Sequence, residues 1–347
     1  MIRFEHVDKT FPNGTRAVRD LSLEVADGET LVLLGTSGSG KTTTMKMVNR
    51  LIDPTGGRIL LDDRDIMEQD PVELRRHIGY AIQHIGLFPH MNVGENIATV
   101  PRLVGWTRKQ IDERIDQLLE MVGLPHEVRE RFPHQLSGGQ KQRVGVARSL
   151  AADPPVVLMD EPFGALDPIT RDQLQDEFLA LDVDKTIIFV THDIFEAVKM
   201  GDRIALLDEG EVQQLAAPAE LVDNPANDFV EDFLGQHRFQ LTLLTRHAVE
   251  LAEDRGSADL EGAPVLRHRA SMADALDVFK GTDRDRLPVN DAQGQARQML
   301  RRERLLEAIT EAFGVGSEAE ARERAAARGS EASAANGQGS DAPGAEG

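Results

Sequence analysis

The sequence contains no cysteine, which excludes a disulfide framework, a thiolate metal site and a cysteine nucleophile. No apolar run approaches the ~20 residues that a membrane-spanning helix needs. The best stretch is the short PPVVLM at 154–159. The first residues, MIRFEHVDKTF, lack the charged-then-apolar layout of a secretory leader. There is no internal repeat and no long heptad run. Lysine is scarce, 8 against 31 arginines, and acids outnumber bases 59 to 39 for a net charge of −20. Such a balance lacks the basic face that general nucleic-acid binding requires. These absences suit a cytoplasmic protein, and no nucleic-acid partner is expected. The acidity fits solubility in a salty cytoplasm, where screening removes self-repulsion, and fits an ordinarily acidic protein equally well.

What is present is enough for one large or two modest domains: 347 residues, 40% of them hydrophobic. TLVLLG (30–35), VVLMD (156–160), TIIFVTH (186–192) and RIALLDEG (203–210) are apolar runs without polar alternation. They predict strands buried on both faces, as in a parallel sheet. TRKQIDERIDQLLEMVGL (107–124) places Ile111, Ile115, Leu118, Leu119 and Val122 at helical spacing and closes at Gly123. Residues 1–236 are therefore an α/β unit. The charged segment 237–262 reads as a linker with some helix. Pattern returns over 263–312: a short strand, a helix, RLPVND as strand plus turn, another short segment and a final helix. The tail 313–347, rich in Gly, Ala, Ser and Glu, cannot bury enough apolar area to offset ordering entropy and is expected to be disordered.

The first strand runs into GTSGSGKTT, comprising Gly35, Thr36, Ser37, Gly38, Ser39, Gly40, Lys41, Thr42 and Thr43. This G-x-x-x-x-G-K-T run lies between a buried strand and a helical TTTMKMVNRLI. Its small residues let backbone N–H groups wrap phosphate oxygens, and the helix N-terminus adds its positive dipole end. Lys41 would reach the β- and γ-phosphates of ATP, and the Thr42 hydroxyl would ligate Mg²⁺. An ordinary Gly-rich turn is the bland alternative, and the strand and helix flanks disfavour it. VVLMDEP then ends a strand in paired acids, at the sheet edge where α/β proteins hold ligands. Asp160 would hold the metal or its water shell, and Glu161 would polarise an attacking water. His192, at the end of a third strand, would contact the γ-phosphate and orient Glu161; taken alone it would read as a structural strand-end residue.

A second Gly-rich turn, LSGGQ, opens another helix: Ser137 is an N-cap, and Gly138 and Gly139 leave backbone donors bare before Gln140. In isolation it is a helix cap. Together with the phosphate loop and the acidic strand end it resembles the signature motif of the ATP-binding cassette ATPases, and the resemblance covers residues 2 to about 235. The order matches: Phe11, the loop 35–42, Gln83, the signature 136–140, the acids 160–161, GALD at 164–167 and His192. The resemblance implies a head-to-tail homodimer in which Ser137 and Gly139 of one chain touch the γ-phosphate held by Lys41 of the other. It further implies that Phe11, where Tyr is usual, stacks on adenine. Gln83 would contact Mg²⁺ and report nucleotide state to a membrane partner, and Asp167 would organise the facing subunit. Phe195 departs from the family, which usually has an acid there.

Around these motifs, MKMVNRLIDPTGGRI and the stretch PVELRRHIGYAIQHIGLFPHMNVGENIATVPRLVGW resemble the importer ATPases for quaternary-ammonium osmoprotectants such as glycine betaine, choline and carnitine. The resemblance implies an integral membrane permease docking near residues 83–106, an extracytoplasmic substrate-binding protein, and a place at the cytoplasmic face of the membrane. The apolar IGLFPHM favours a docking surface, against the alternative that Leu87 and Phe88 tuck into the helical subdomain that the resemblance gives the P-loop cassette. Another small polar solute, such as an amino acid, is the alternative cargo. Soluble cassette proteins acting on ribosomes or DNA fit poorly, because there is one cassette and no zinc-binding cysteine. An inactive regulatory cassette fits poorly with Lys41, Asp160, Glu161 and His192 all in place. Residues 263–312 resemble a single cystathionine-β-synthase-type (CBS) module. In it, Arg297, Arg301, Arg302 and Arg304 would either face lipid headgroups or form a solvated helix face.

Overall fold

The computed structural model describes residues 1–82, 86–164, 166–180, 185–254, 262–291 and 293–312. By its internal contacts the chain divides into two units, Met1–Gln236 and His237–Gly347.

The strands of the first unit are β1 (Ile2–Thr10), β2 (Arg16–Val25), β3 (Thr30–Gly35), β4 (Gly56–Leu61), β5 (Arg64–Asp65), β6 (Ile78–Ala81), β7 (Val156–Asp160), β8 (Thr186–Val190), β9 (Arg203–Asp208) and β10 (Glu211–Ala216). They make two sheets. One is antiparallel, in the order β2-β1-β4-β5; the other runs β10-β9-β3-β8-β7-β6. In the larger sheet β9, β3, β8, β7 and β6 are parallel, and β10 returns antiparallel on β9. The unbroken apolar runs account for this arrangement. Val32 and Leu34 are buried on one face of β3 while Leu31 and Leu33 are buried on the other. β1 and β2 carry broken alternation instead, so Ile2, Phe4, Leu21 and Leu23 cover one side of the main core while their neighbours stay wet.

The helices are α1 (Lys41–Val48), α2 (Pro71–Arg76), α3 (Val93–Ile97), α4 (Thr99–Leu103), α5 (Arg108–Met121), α6 (Gly138–Ser149), α7 (Pro168–Ala180), α8 (Ile194–Met200), α9 (Pro218–Asp223) and α10 (Asp228–Leu234). α5 starts where Thr107 and Gln110 cap each other reciprocally, buries Ile111, Ile115, Leu118 and Leu119, and ends before Gly123 in the left-handed region. α1 feeds Met45, Met47 and Val48 into the core beneath both sheets. That fixes the turn before α1 at the carboxyl edge of the parallel sheet.

The second unit has helix α11 (Arg238–Thr245), strands β11 (Glu253–Asp254), β12 (Arg286–Val289) and β13 (Gln298–Arg301), and helices α12 (Met272–Lys280) and α13 (Arg302–Ala312). Its antiparallel sheet runs β11-β13-β12, and Leu266 forms a lone parallel bridge to Val289. Ala248, Leu266, Met272, Phe279, Leu287, Leu300 and Leu305 form its core. Residues 237–254, read from sequence as a linker, belong to this body: Leu241 and Ala248 are fully buried, and Leu243 and Val249 pack around the core. The exposed charges of Arg246, Glu250, Glu253 and Asp254 dilute the apolar pattern of this stretch. The arginine cluster is not a free basic face. Arg297 pairs with Asp291, Arg301 with Glu253 and Arg304 with Glu307. Arg302 donates to the carbonyls of Phe279, Thr282 and Arg284. The tail 313–347, expected to be disordered, lies outside the described residues.

Candidate functional site

β3 ends in Gly35, and the turn 36–40 delivers the chain into α1. Gly40 stands at φ 99°, and a Cβ there would meet the Ala17 carbonyl oxygen at 2.3 Å. Only glycine fits such an approach, and it locks the turn against β2. Lys41 is buried. Its Nζ donates to the Gly35 carbonyl at 2.8 Å and to the Thr36 carbonyl at 2.7 Å, inside the arc of the loop. Burial pushes its ammonium pKa down, while the charges of Glu161 and Asp160 oppose that shift.

The acidic strand end arrives alongside. Leu33 of β3 pairs with Val190 of β8, and Val190 pairs with Asp160 of β7, so three strand ends lie abreast. The Asp160 carboxyl is 4% exposed and accepts from the Thr42 hydroxyl at 3.0 Å. Burial pushes its pKa up, and the Thr42 hydrogen bond opposes that. Glu161 follows in the left-handed region at φ 45°, its N–H held by the Val190 carbonyl at 2.9 Å. A non-glycine residue in that region carries backbone strain. The turn aims the carboxylate at His192, whose Nδ1 is 3.1 Å from Glu161 Oε1. Thr42 and Asp160 offer hard oxygen donors suited to Mg²⁺. Among the described residues no cluster of three or more His, Asp or Glu side chains is placed to hold a metal ion. A cation here would take its other ligands from phosphate and water.

Phe11 lies just past β1, half-buried, with Lys9 Nζ 5.4 Å from its ring centroid. Lys9 also donates to the Asp53 carbonyl beyond α1. The second glycine turn behaves differently from the first. Ser137 caps α6 reciprocally with Gln140, at 3.2 and 3.1 Å, and Ser137 and Gly138 are exposed. Among the described residues no hydrogen bond joins residues 137–140 to the loop 35–43. Gly139 instead backs onto Leu166, whose Cδ2 is 3.1 Å from where a Cβ would stand. Asp167 is exposed and caps α7, accepting from the Thr170 N–H at 3.0 Å. The Thr170 hydroxyl and then its N–H hold the Asp167 pKa below the usual carboxylate value.

Gln83 lies outside the described residues. Beyond it, Phe88 is 40% exposed while Leu87 is half-buried, so the apolar segment divides between the two sequence readings. Sequence reasoning passed over its scaffold: fully buried Asn96 donates to the carbonyls of Phe88 and Met91 and accepts from the Phe88 N–H at 2.8 Å. An asparagine between the apolar Val93 and Ile97 positions is the signal that points to it. Arg148 of α6 also donates to the Gly86 carbonyl at 2.7 Å. The segment closes at Trp106, half-buried, whose N–H bonds the Pro101 carbonyl at 3.0 Å. At Phe195 the acid usual in the family is missing, yet the next residue, Glu196, is a buried carboxylate.

Comparison with known proteins gives a consistent picture. A family model described as ABC transporter matches residues 18–164. Over 240 residues the chain is 56% identical to the glycine betaine/carnitine/choline transport ATP-binding protein OpuCA of Bacillus subtilis, covering 69% of this chain and 63% of that relative. It thus spans less than two thirds of that relative's length. Over 298 residues it is 49% identical to the glycine betaine uptake system ATP-binding protein YehX of Escherichia coli, covering 85% of this chain and 96% of the relative. Among solved structures, the dimeric ATP-binding cassette MJ0796 in a post-hydrolysis state bound to ADP and Pi aligns at TM-score 0.58. The identity is 33%, over 62% of this chain and 98% of that one.

Proposed function

The chain belongs to the ATP-binding cassette family of transporter proteins, and we propose that it is the ATP-hydrolysing subunit powering import of a quaternary-amine osmoprotectant of the glycine betaine type. The observation that carries the hydrolytic reading is the convergence of Lys41, Asp160, Glu161 and His192 on one edge of the parallel sheet. The cargo follows from the names of the relatives, because an ATPase subunit never touches it. Those names favour a betaine over an amino acid.

In this reading residues 35–43 cradle the phosphates of ATP, Lys41 leaves the loop carbonyls for the β- and γ-oxygens, and Phe11 stacks on adenine. Thr42, Asp160 and Gln83 would hold Mg²⁺, which when bound neutralises phosphate charge. Glu161 accepts the proton of the attacking water, and His192 holds that carboxylate in line. The exposed turn of Ser137, Gly138, Gly139 and Gln140, together with Asp167, serves the nucleotide held by a second copy. Such a sandwich makes ATP the link between two chains, so binding closes the dimer and hydrolysis loosens it. A membrane permease docks near residues 83–106, where Phe88 and Leu103 are exposed, and an extracytoplasmic binding protein delivers the cargo to it. Among the described residues no helix is long and apolar enough to cross a membrane; the chain works peripherally, at the cytoplasmic face. Residues 263–312 act as a CBS-like regulatory module.

The test is uptake of labelled glycine betaine by host cells after an osmotic upshift, with and without this gene. Loss of uptake, restored by the wild-type chain and not by Glu161→Gln, is the expected result. Unchanged uptake in a strain with no redundant carrier overturns the cargo.

A further inference from the structure

Helices α7 and α8 meet through polar side chains. Arg171 Nη1 lies 3.5 Å from Asp193 Oδ2. One turn on, Gln175 donates from Nε2 to Glu196 Oε1 at 2.9 Å. Lys199 then reaches Asp176 at 2.8 Å and also Asp172. The first two contacts advance by about a helical turn on both elements, and Lys199, a further turn along α8, is held between Asp172 and Asp176, which lie one turn apart on α7. Gln175 and Glu196 are 4% and 7% exposed. A one-turn slip would break the bond between them in a dry place and leave the Gln175 amide without its partner, which is costly. The two helices therefore hold one register.

The first of these contacts is placed where it matters most. α7 begins after the turn carrying Leu166 and Asp167, and α8 begins after His192. Arg171 spans both: Nη2 donates to the Leu166 carbonyl at 3.3 Å while Nη1 faces Asp193. Asp193 in turn caps α8, accepting from the Phe195 N–H at 2.9 Å, and its own N–H is held by Thr191 Oγ1 at 3.0 Å. His192 sits between those two anchors, with Glu161 at 3.1 Å. On the other side Leu166 is pressed against Gly139 of the signature turn.

We infer that Arg171 is a positioning residue that relays the placement of the Asp167 turn to the His192–Glu161 pair, so that one ATP site of the dimer senses the other. The inference rests on the two-site reading above. A planar guanidinium can donate in two directions at once, to a carbonyl and to a carboxylate; an ammonium at the same site keeps charge but not that span.

The experiment compares full-length wild type, Arg171→Ala, Arg171→Lys and Asp193→Asn. Each is assayed for ATPase rate against ATP concentration, binding of a fluorescent ATP analogue, and thermal unfolding. Asn caps a helix as well as Asp, so Asp193→Asn removes the charge and keeps the start of α8. The wild type is expected to hydrolyse ATP with a Hill coefficient above 1. In Arg171→Ala and Asp193→Asn kcat should fall about tenfold, KM should stay within about twofold, and the Hill coefficient should drop toward 1. Arg171→Lys should recover part of kcat. Variants that unfold like the wild type and match its kcat and Hill coefficient overturn the relay alone. Loss of activity only in proportion to folded protein overturns it too. A wild-type chain that neither binds nor hydrolyses ATP overturns the proposed function, and the relay with it.

Discussion

Glu161 is one residue whose geometry no sequence pattern supplies. The run of apolar residues into Asp160 and Glu161 marks a strand end bearing acids. The left-handed backbone at φ 45° that turns the second acid toward His192 is a product of the Val190 carbonyl and its strand pairing. Glu161→Gln keeps the shape of the side chain and removes its basicity. ATP binding should persist, the hydrolytic rate should fall by about 10²–10⁴, and the chain should run at doubled mass with Mg·ATP in light scattering. An unchanged monomer would count against the sandwich. Lys9 is a second case. Nothing in KTF at 9–11 marks the lysine, yet its ammonium lies over the Phe11 ring that is proposed to stack on adenine. Lys9→Met retains the aliphatic stem, and loss of the cation–π contact should raise the Kd for ATP by about two- to fivefold in calorimetric titration.

At the level of the element, the parallel strands and α5 were legible because burial on both faces, or a 3.6-residue stripe, leaves an unbroken signature. The antiparallel sheet was not. β1 has register shifts against β2 between Phe4 and Val7 and again near Lys9, which break strict alternation. The α7–α8 contact was equally silent, since polar residues on two distant helices look like solvated faces. Glu196 gives it a pH signature. Burial raises its carboxyl pKa above 4.5, against the opposing Thr191 and Gln175 hydrogen bonds. The folded chain therefore holds that proton more firmly than the unfolded chain does. Its contribution to stability is most favourable below the unfolded value and declines as pH rises through the folded one. Glu196→Gln should flatten this part of the profile and gain stability at neutral pH relative to wild type, as read from urea midpoints at pH 5 and pH 8.

For the whole molecule, the break near residue 236 follows from two separate cores, one gathered around Leu31, Met45 and Leu158, the other around Phe279, Leu287 and Leu300. A chain ending at Gln236 should therefore fold and hydrolyse ATP at a rate within about threefold of the full protein, because every residue named in the catalytic edge lies before the break. Failure of this fragment to fold, seen by circular dichroism, would contradict independent cores. The motifs of the first unit were readable because each is a short run with a fixed backbone task. The second unit was half-readable: its helices show, but from 237 onward buried Leu241 and Ala248 lie in short apolar pieces, FQLTLLT and AV, cut apart by Arg246 and His247.

Trp106 is the sole tryptophan of the chain, half-buried at the end of the segment where the permease is proposed to dock. The protein thus carries a native fluorophore at that surface, with no second indole to dilute it. Emission excited at the red edge of the protein band comes from this one place, so partner engagement can be followed as a shift in its colour, without attaching a dye.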